Sequence, residues 1–180
     1  MPYPRDHKYT AEEYFKTPET NKHIELRDGV IIEFAAPTVT HQRIVGRLSS
    51  EIFGFIKGNK GKCEVFVSPL DVKLDDFNVV QPDVFVICDS SKYDDSRCYG
   101  APDWCIEVLS SNRRDDLVDK LALYSAHGVR EYWIVDPKNE KTLVYFFEKS
   151  DFPNIYTFDT PVPVGIYGGD LTLNIKELIL

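Results

Sequence analysis

Apolar residues between Thr40 and Lys57 recur at helical spacing: Ile44, Val45, Leu48, Ile52, Phe53 and Ile56 fall on one face. The spacing predicts a long amphipathic helix that turns this stripe to a core and stops at Gly58. Before it, Thr10-Ala-Glu-Glu13 is a capping box that opens a short helix, ended by Pro18. Ile24 to Glu33 reads as a hairpin around the Asp28-Gly29 turn. After the long helix, Cys63–Val67 and Leu70–Leu74 are strand-like. Asp83–Cys88 and Trp104–Leu109 are short, nearly unbroken apolar runs of the interior-strand kind. A loop rich in Asp and Ser, Asp89 to Gly100, lies between these two runs.

A second long helix follows, capped by Ser110, Ser111 or Asn112 and running to about His127. Leu117, Val118, Leu121, Ala122 and Tyr124 form its expected core face, and Gly128 takes its left-handed exit. Val129–Val135 is the next strand, ended by Asp136-Pro137, with Leu143–Phe147 as its hairpin partner. The tail holds a last strand near Leu171–Leu173 and a short helical end. Helix, strands, helix, strand describes an α/β fold: a mixed central sheet flanked by helices, with an N-terminal hairpin. With no linker or repeat, residues 1–180 are expected to form one domain.

Composition narrows the function. Apolar residues make up 43% of the chain, enough for a packed core. No run reaches the roughly 18–20 apolar residues of a membrane span, and the start has no signal-peptide core, so the expected location is the cytoplasm. Cys63, Cys88, Cys98 and Cys105 are scattered with no C-x-x-C pair, and buried reduced thiols are expected. The net charge of −8 disfavours charge-driven nucleic-acid binding, so any such contact needs a local basic patch or a bound metal.

Two carboxylates stand out by position. Asp83 opens one interior strand directly after Pro82, and Glu107 interrupts the next between Ile106 and Val108. Alone, each could be a carboxylate satisfied by an arginine or by backbone N–H groups. Together, on consecutive interior strands, they suggest a site for a hard divalent cation that takes oxygen ligands. A strand-borne lysine two residues after Glu107 would share its face, but that position is Leu109. Lys120 can replace it from the helix. It lies about 100° from the stripe centred on Leu121, and its long stem can cross apolar surface. At that border, its replacement by methionine is expected to remove the charge and leave the fold intact.

These residues resemble the PD-(D/E)XK nuclease superfamily, with the lysine slot vacated at Leu109 and refilled from the next helix. More closely, the chain resembles a bacterial family of restriction-endonuclease-like proteins. The resemblance rests on Glu25-Leu-Arg-Asp-Gly29, His41 at the start of the first long helix, Gln81-Pro-Asp83, Glu107-Val-Leu-Ser110, Asp116 with Lys120 and Tyr124, and Gly128-Val-Arg-Glu-Tyr-Trp-Ile-Val-Asp-Pro137. It covers about Tyr9 to Leu178. It implies a Mg²⁺-dependent endonuclease, with Mn²⁺ as a substitute, that acts on nucleic acid, DNA before RNA, and works as a homodimer. Asp83, Glu107 and the Val108 carbonyl would hold the metal, and Lys120 would complete the catalytic set. Glu25, His41 and Gln81 would support it. Arg113 and Arg114, at a helix start where the dipole disfavours cations, would touch the nucleic-acid backbone.

Two rivals stand beside this reading. One is a nuclease-fold binding or assembly module without turnover, which the acidic charge and Leu109 favour. The other is an unrelated phosphoesterase. Its His-rich metal classes are disfavoured, because His7, His23, His41 and His127 form no H-x-H or H-x-x-E-H pair.

Overall fold

The computed structural model describes residues 3–4, 6–18, 23–110 and 114–179, without the side chains of residues 114–117. Helix α1 (Ala11–Phe15) opens on the predicted capping box. Strands β1 (His23–Arg27) and β2 (Val30–Phe34) form the predicted hairpin, and both turn residues take positive φ, 47° at Asp28 and 79° at Gly29. Helix α2 (Val39–Gly58) follows, then β3 (Glu64–Val67), β4 (Val72–Lys73), β5 (Val79–Val80), β6 (Val84–Ile87), β7 (Cys98–Tyr99) and β8 (Trp104–Val108). The chain continues through α3 (Arg114–His127), β9 (Glu131–Asp136), β10 (Lys141–Phe146), β11 (Asn154–Thr157), β12 (Val162–Pro163), β13 (Thr172–Leu173) and α4 (Ile175–Ile179).

The central sheet is six-stranded and mixed, in the order β11-β10-β9-β8-β6-β3. The pair β8–β9 is parallel because α3 crosses between them; its neighbours pair antiparallel. The predicted hairpin belongs to a second sheet, β2-β1-β5-β4-β7. Helix α2 lies on one face of the central sheet, packing Ile44, Leu48 and Ile52 against Val84, Ile106 and Trp133. Helix α3 lies on the other, where Tyr124 meets Cys105, Tyr132 and Ile134. Alternate residues of each central strand therefore face opposite helices.

Several expectations are corrected. Helix α2 ends at Gly58 as expected, but Gly58 does not supply the left-handed exit: Asn59 caps the helix and Lys60 takes the positive φ, 51°. Phe53 is 51% exposed and does not join the stripe. In α3, Val118 is 70% exposed and Ala122 also faces solvent, while Lys120 and Tyr124 are buried. The face turned to the sheet thus centres one residue earlier than the apolar pattern suggests, on a charged side chain. Leu117, Ser111 and Asn112 lie outside the described side chains.

The thiols are also corrected. Cys98 and Cys105 are free and buried, but Cys63 and Cys88 form a disulfide. The antiparallel β3–β6 register pairs Glu64 with Ile87, so the next rung sets Cys63 opposite Cys88. Spacing along the chain could not reveal a pair made by strand register. The bond removes the cysteine argument for a reducing compartment.

Candidate active site

The β6–β8 register pairs Val84 with Ile106. One rung further along, Asp83 stands opposite Glu107 at the end of the sheet. Asp83 Oδ2 accepts hydrogen bonds from the Val108 amide at 2.8 Å and from His41 Nε2, in the first turn of α2, at 2.9 Å. Glu107 Oε1 accepts from Lys120 Nζ at 2.6 Å and from the Tyr124 hydroxyl at 2.8 Å. Lys120 and Tyr124 stand one turn apart on α3, so both reach the same carboxylate.

Lys120 also reaches the second sheet, its Nζ lying 3.2 Å from Glu25 Oε1. Glu25 Oε1 accepts from the Gln81 backbone N–H at 2.9 Å. Its Oε2 accepts from Arg27 Nε at 2.9 Å and from Nη2 on the same edge of the guanidinium. Arg27 lies two residues after Glu25 on β1 and therefore shares its face. The cluster is closed: Glu25 is 0% exposed, Asp83 and Lys120 2%, and Glu107 3%.

These charges do not balance. Among the described residues, Glu25, Asp83 and Glu107 outnumber Lys120 and Arg27 by one when all are ionised, before any contribution from His41. Burial alone would raise Glu25, but Lys120 and Arg27 outweigh it and hold the group down at about 2. Burial also opposes ionisation of Asp83, and His41 and Lys120 bring it below the usual range. At Glu107 burial wins. Lys120 offsets it only in part, because Asp83 and Glu25 add repulsion, and the carboxyl is pushed up to about 7. Lys120 would lose its proton on burial alone, but Glu107 and Glu25 keep it charged.

The sequence-predicted residues Glu25, Asp83, Glu107, His41 and Lys120 thus converge. Gln81 contributes its backbone N–H, while its side chain turns away and donates to Asp71. Val108 contributes its N–H to Asp83. Arg113 and the Arg114 side chain lie outside the described residues. Sequence reasoning missed Tyr124 and Arg27 as members of the site. Their signals were available: i+4 from Lys120 on a helix, and i+2 from Glu25 on a strand.

A cation fits this set. Among the described residues no three His, Cys, Asp or Glu side chains form a ready-made cage. Mg²⁺ does not need one, since it uses one or two carboxylates and keeps waters. Glu107 Oε2 has no partner among the described residues, and the surplus negative charge is what a divalent cation would neutralise. Beside Asp83, a cleft of about 320 Å³ is lined by Thr40, His41, Leu109, Ser110 and Lys138. His41 is buried, and its Nδ1 has no hydrogen-bond partner among the described residues.

A mixed sheet whose strand ends gather these carboxylates and a lysine defines a nuclease-like fold of the PD-(D/E)XK type. The chain belongs to the Uma2 family, described as "Putative restriction endonuclease", whose model matches residues 11–159. It is similar to a crystal structure from Anabaena variabilis ATCC 29413 described as "a putative nuclease belonging to DUF820". That match has 26% sequence identity and a TM-score of 0.79, and covers 94% of this chain and 97% of the other. No curated protein matches the chain.

Proposed function

We propose that this protein is a Mg²⁺-dependent endonuclease that hydrolyses phosphodiester bonds, DNA in preference to RNA. The convergence of Asp83, Glu107 and Lys120 at one sheet end carries the reading. Asp83, Glu107 and the Val108 carbonyl would hold the cation, and Mn²⁺ would serve in its place. Bound there, the metal would polarise the phosphate and make a water a better nucleophile at neutral pH. Lys120, fixed by Glu25 and Glu107 and kept charged by both, stabilises negative charge developing on the phosphoryl oxygens. Its carboxylate neighbours suit it to that role and not to a base. His41 orients Asp83 through Nε2 and turns Nδ1 to a phosphate oxygen or a water. Tyr124 fixes the rotamer of Glu107. Arg113 and Arg114 would meet the nucleic-acid backbone. Cutting both strands favours a two-fold homodimer, and the cytoplasm is the proposed location.

The test is Mg²⁺-dependent cleavage of a panel of single- and double-stranded DNA and RNA, with wild type and Asp83→Asn. Cutting by wild type alone supports the reading. One observation favours a second reading, a binding or assembly module without turnover: the charged centre is almost wholly closed to solvent. That reading takes over if wild type binds divalent metal and cuts nothing on the panel.

A further inference from the structure

A second cleft, of about 870 Å³, opens between α1, the Ser68-Pro69 turn and the second sheet. It meets the charged centre at one residue. Gln81 gives its backbone N–H to Glu25, whereas its side chain lies in the cleft beside Asp71 and Tyr14. The floor is braced. The Tyr14 hydroxyl donates to Asp71 Oδ1 at 3.1 Å and to the Ile24 carbonyl at 2.9 Å, and Gln81 Nε2 donates to the same Asp71 oxygen at 2.8 Å.

That arrangement assigns the Gln81 amide. Its NH₂ must face the carboxylate, so its oxygen is the acceptor left over. Gln81 Oε1 is buried with no hydrogen-bond partner among the described residues. A buried acceptor without a donor is costly. Asp71 Oδ2 likewise accepts nothing from the described residues. The hydrogen-bonded Gln81–Asp71 pair therefore leaves two acceptors unfilled, one of them charged, and the floor repels a phosphate. At the rim, the Arg97 guanidinium stacks 3.5 Å over the Phe15 ring, a flat cationic platform of the kind on which bases stack.

We propose that this cleft is a base-reading subsite for an unpaired guanine next to the cut. The proposal rests on the nuclease reading above. The Watson–Crick edge of guanine carries two adjacent donors, N1–H and the N2 amino group, matching Asp71 Oδ2 and Gln81 Oε1. Cytosine and adenine offer a single amino group flanked by an acceptor, and thymine offers one imide N–H between carbonyls. In a duplex that guanine edge is occupied by cytosine, so the base must be bulged, flipped or single-stranded. The link from Gln81 through Glu25 to Lys120 places the base reader beside the proposed chemistry.

The test uses whole protein in EDTA and fluorescein-labelled DNA hairpins with a one-nucleotide bulge, read by anisotropy. The bulge is guanine, 7-deazaguanine, inosine or an abasic site. Guanine and 7-deazaguanine, which share the N1/N2 edge, should bind alike. Inosine, lacking the N2 amine, should bind about tenfold more weakly, the scale of leaving the buried Gln81 oxygen without its donor. Asp71→Asn turns one acceptor into a donor and should erase the guanine preference while leaving abasic binding unchanged. The base analogues test the proposal even if that variant folds poorly. Equal binding of all four hairpins overturns the subsite. Cleavage of the same hairpins in Mg²⁺ separates the two readings. Cutting without base preference overturns the subsite and leaves the nuclease. Guanine-selective binding with no cutting supports the subsite and counts against the nuclease. Neither binding nor cutting overturns both.

Discussion

Glu107→Gln should stabilise the metal-free protein, and only above a definite pH. The Glu107 carboxyl is pushed from its model-compound value of 4.5 up to about 7, first by burial and then by Asp83 and Glu25 against the partial relief of Lys120. Between those pH values the native state keeps a proton that the unfolded chain has released. Stability therefore falls as pH rises through this window, by about 3 kcal/mol in all. Below pH 4.5 both states are protonated and the penalty is absent. Glutamine mimics the protonated carboxyl and keeps an acceptor for Lys120 and Tyr124. Urea unfolding in EDTA, followed by the fluorescence of buried Trp104 and Trp133, reads the difference. The variant should match wild type within about 1 kcal/mol at pH 4.5 and exceed it by about 3 kcal/mol at pH 8. Glu25 does not blur this window, because its own stabilisation is lost only as pH falls from 4.5 towards about 2. A difference independent of pH, or a variant less stable at pH 8, would refute the reasoning.

Other outcomes follow from the same geometry. Mg²⁺ should raise the melting temperature of wild type, since ligand binding to the native state stabilises it, and Asp83→Asn should abolish the rise. Lys120→Met should lower unfolding free energy by about 3–5 kcal/mol, since it strands buried carboxylates; Glu25→Gln added to it should recover most of that loss, while phosphodiester cleavage stays about a hundredfold down. Thiol titration of unreduced protein in denaturant should count two free cysteines of the four, and reduction should cost about 3 kcal/mol for the 25-residue loop that Cys63–Cys88 closes. Glu131→Ala should cost at least about 3 kcal/mol, measured by urea unfolding, because Glu131 accepts from Trp133 Nε1 and from the amides of Gly165 and Ile166.

The elements with strong periodicity were legible in the sequence. The α2 stripe, the Asp-Gly hairpin and the interior runs around Phe85 and Ile106 appear within a residue or two of their expected bounds. Asp83 and Glu107 were legible because a charge in an apolar strand needs a reason. The two-residue strands β5 and β7 were not, since their pairing is set by the second sheet and too few residues carry a pattern, whereas β4 falls inside the strand-like run Leu70–Leu74. The exposure of Val118 was hidden for a different reason. Helical spacing locates an apolar stripe, but the α3 face turned to the sheet is fixed by the ionic contacts of Lys120, and a wheel of apolar residues counts that position as polar.

The placement of the lysine on a helix changes what it does. At position 109 it would extend from the same strand as Glu107 and stay within one sheet. From α3 it stands between two sheets, touching Glu107 of the central sheet and Glu25 of the second. Its burial cost is met by two carboxylates, and theirs in turn by Lys120 and Arg27, so neither sheet's charges are satisfied without the other's. The expectation that methionine at position 120 leaves the fold intact is thereby overturned: a border lysine would allow it, and a buried bridge does not. The bridge also explains why Glu25-Leu-Arg27 in the hairpin and Glu107 on β8, far apart in the chain, form one electrostatic unit. Among the described residues the unit counts one carboxylate more than its cations, before any contribution from His41, and the Mg²⁺ of the proposed function would neutralise that excess.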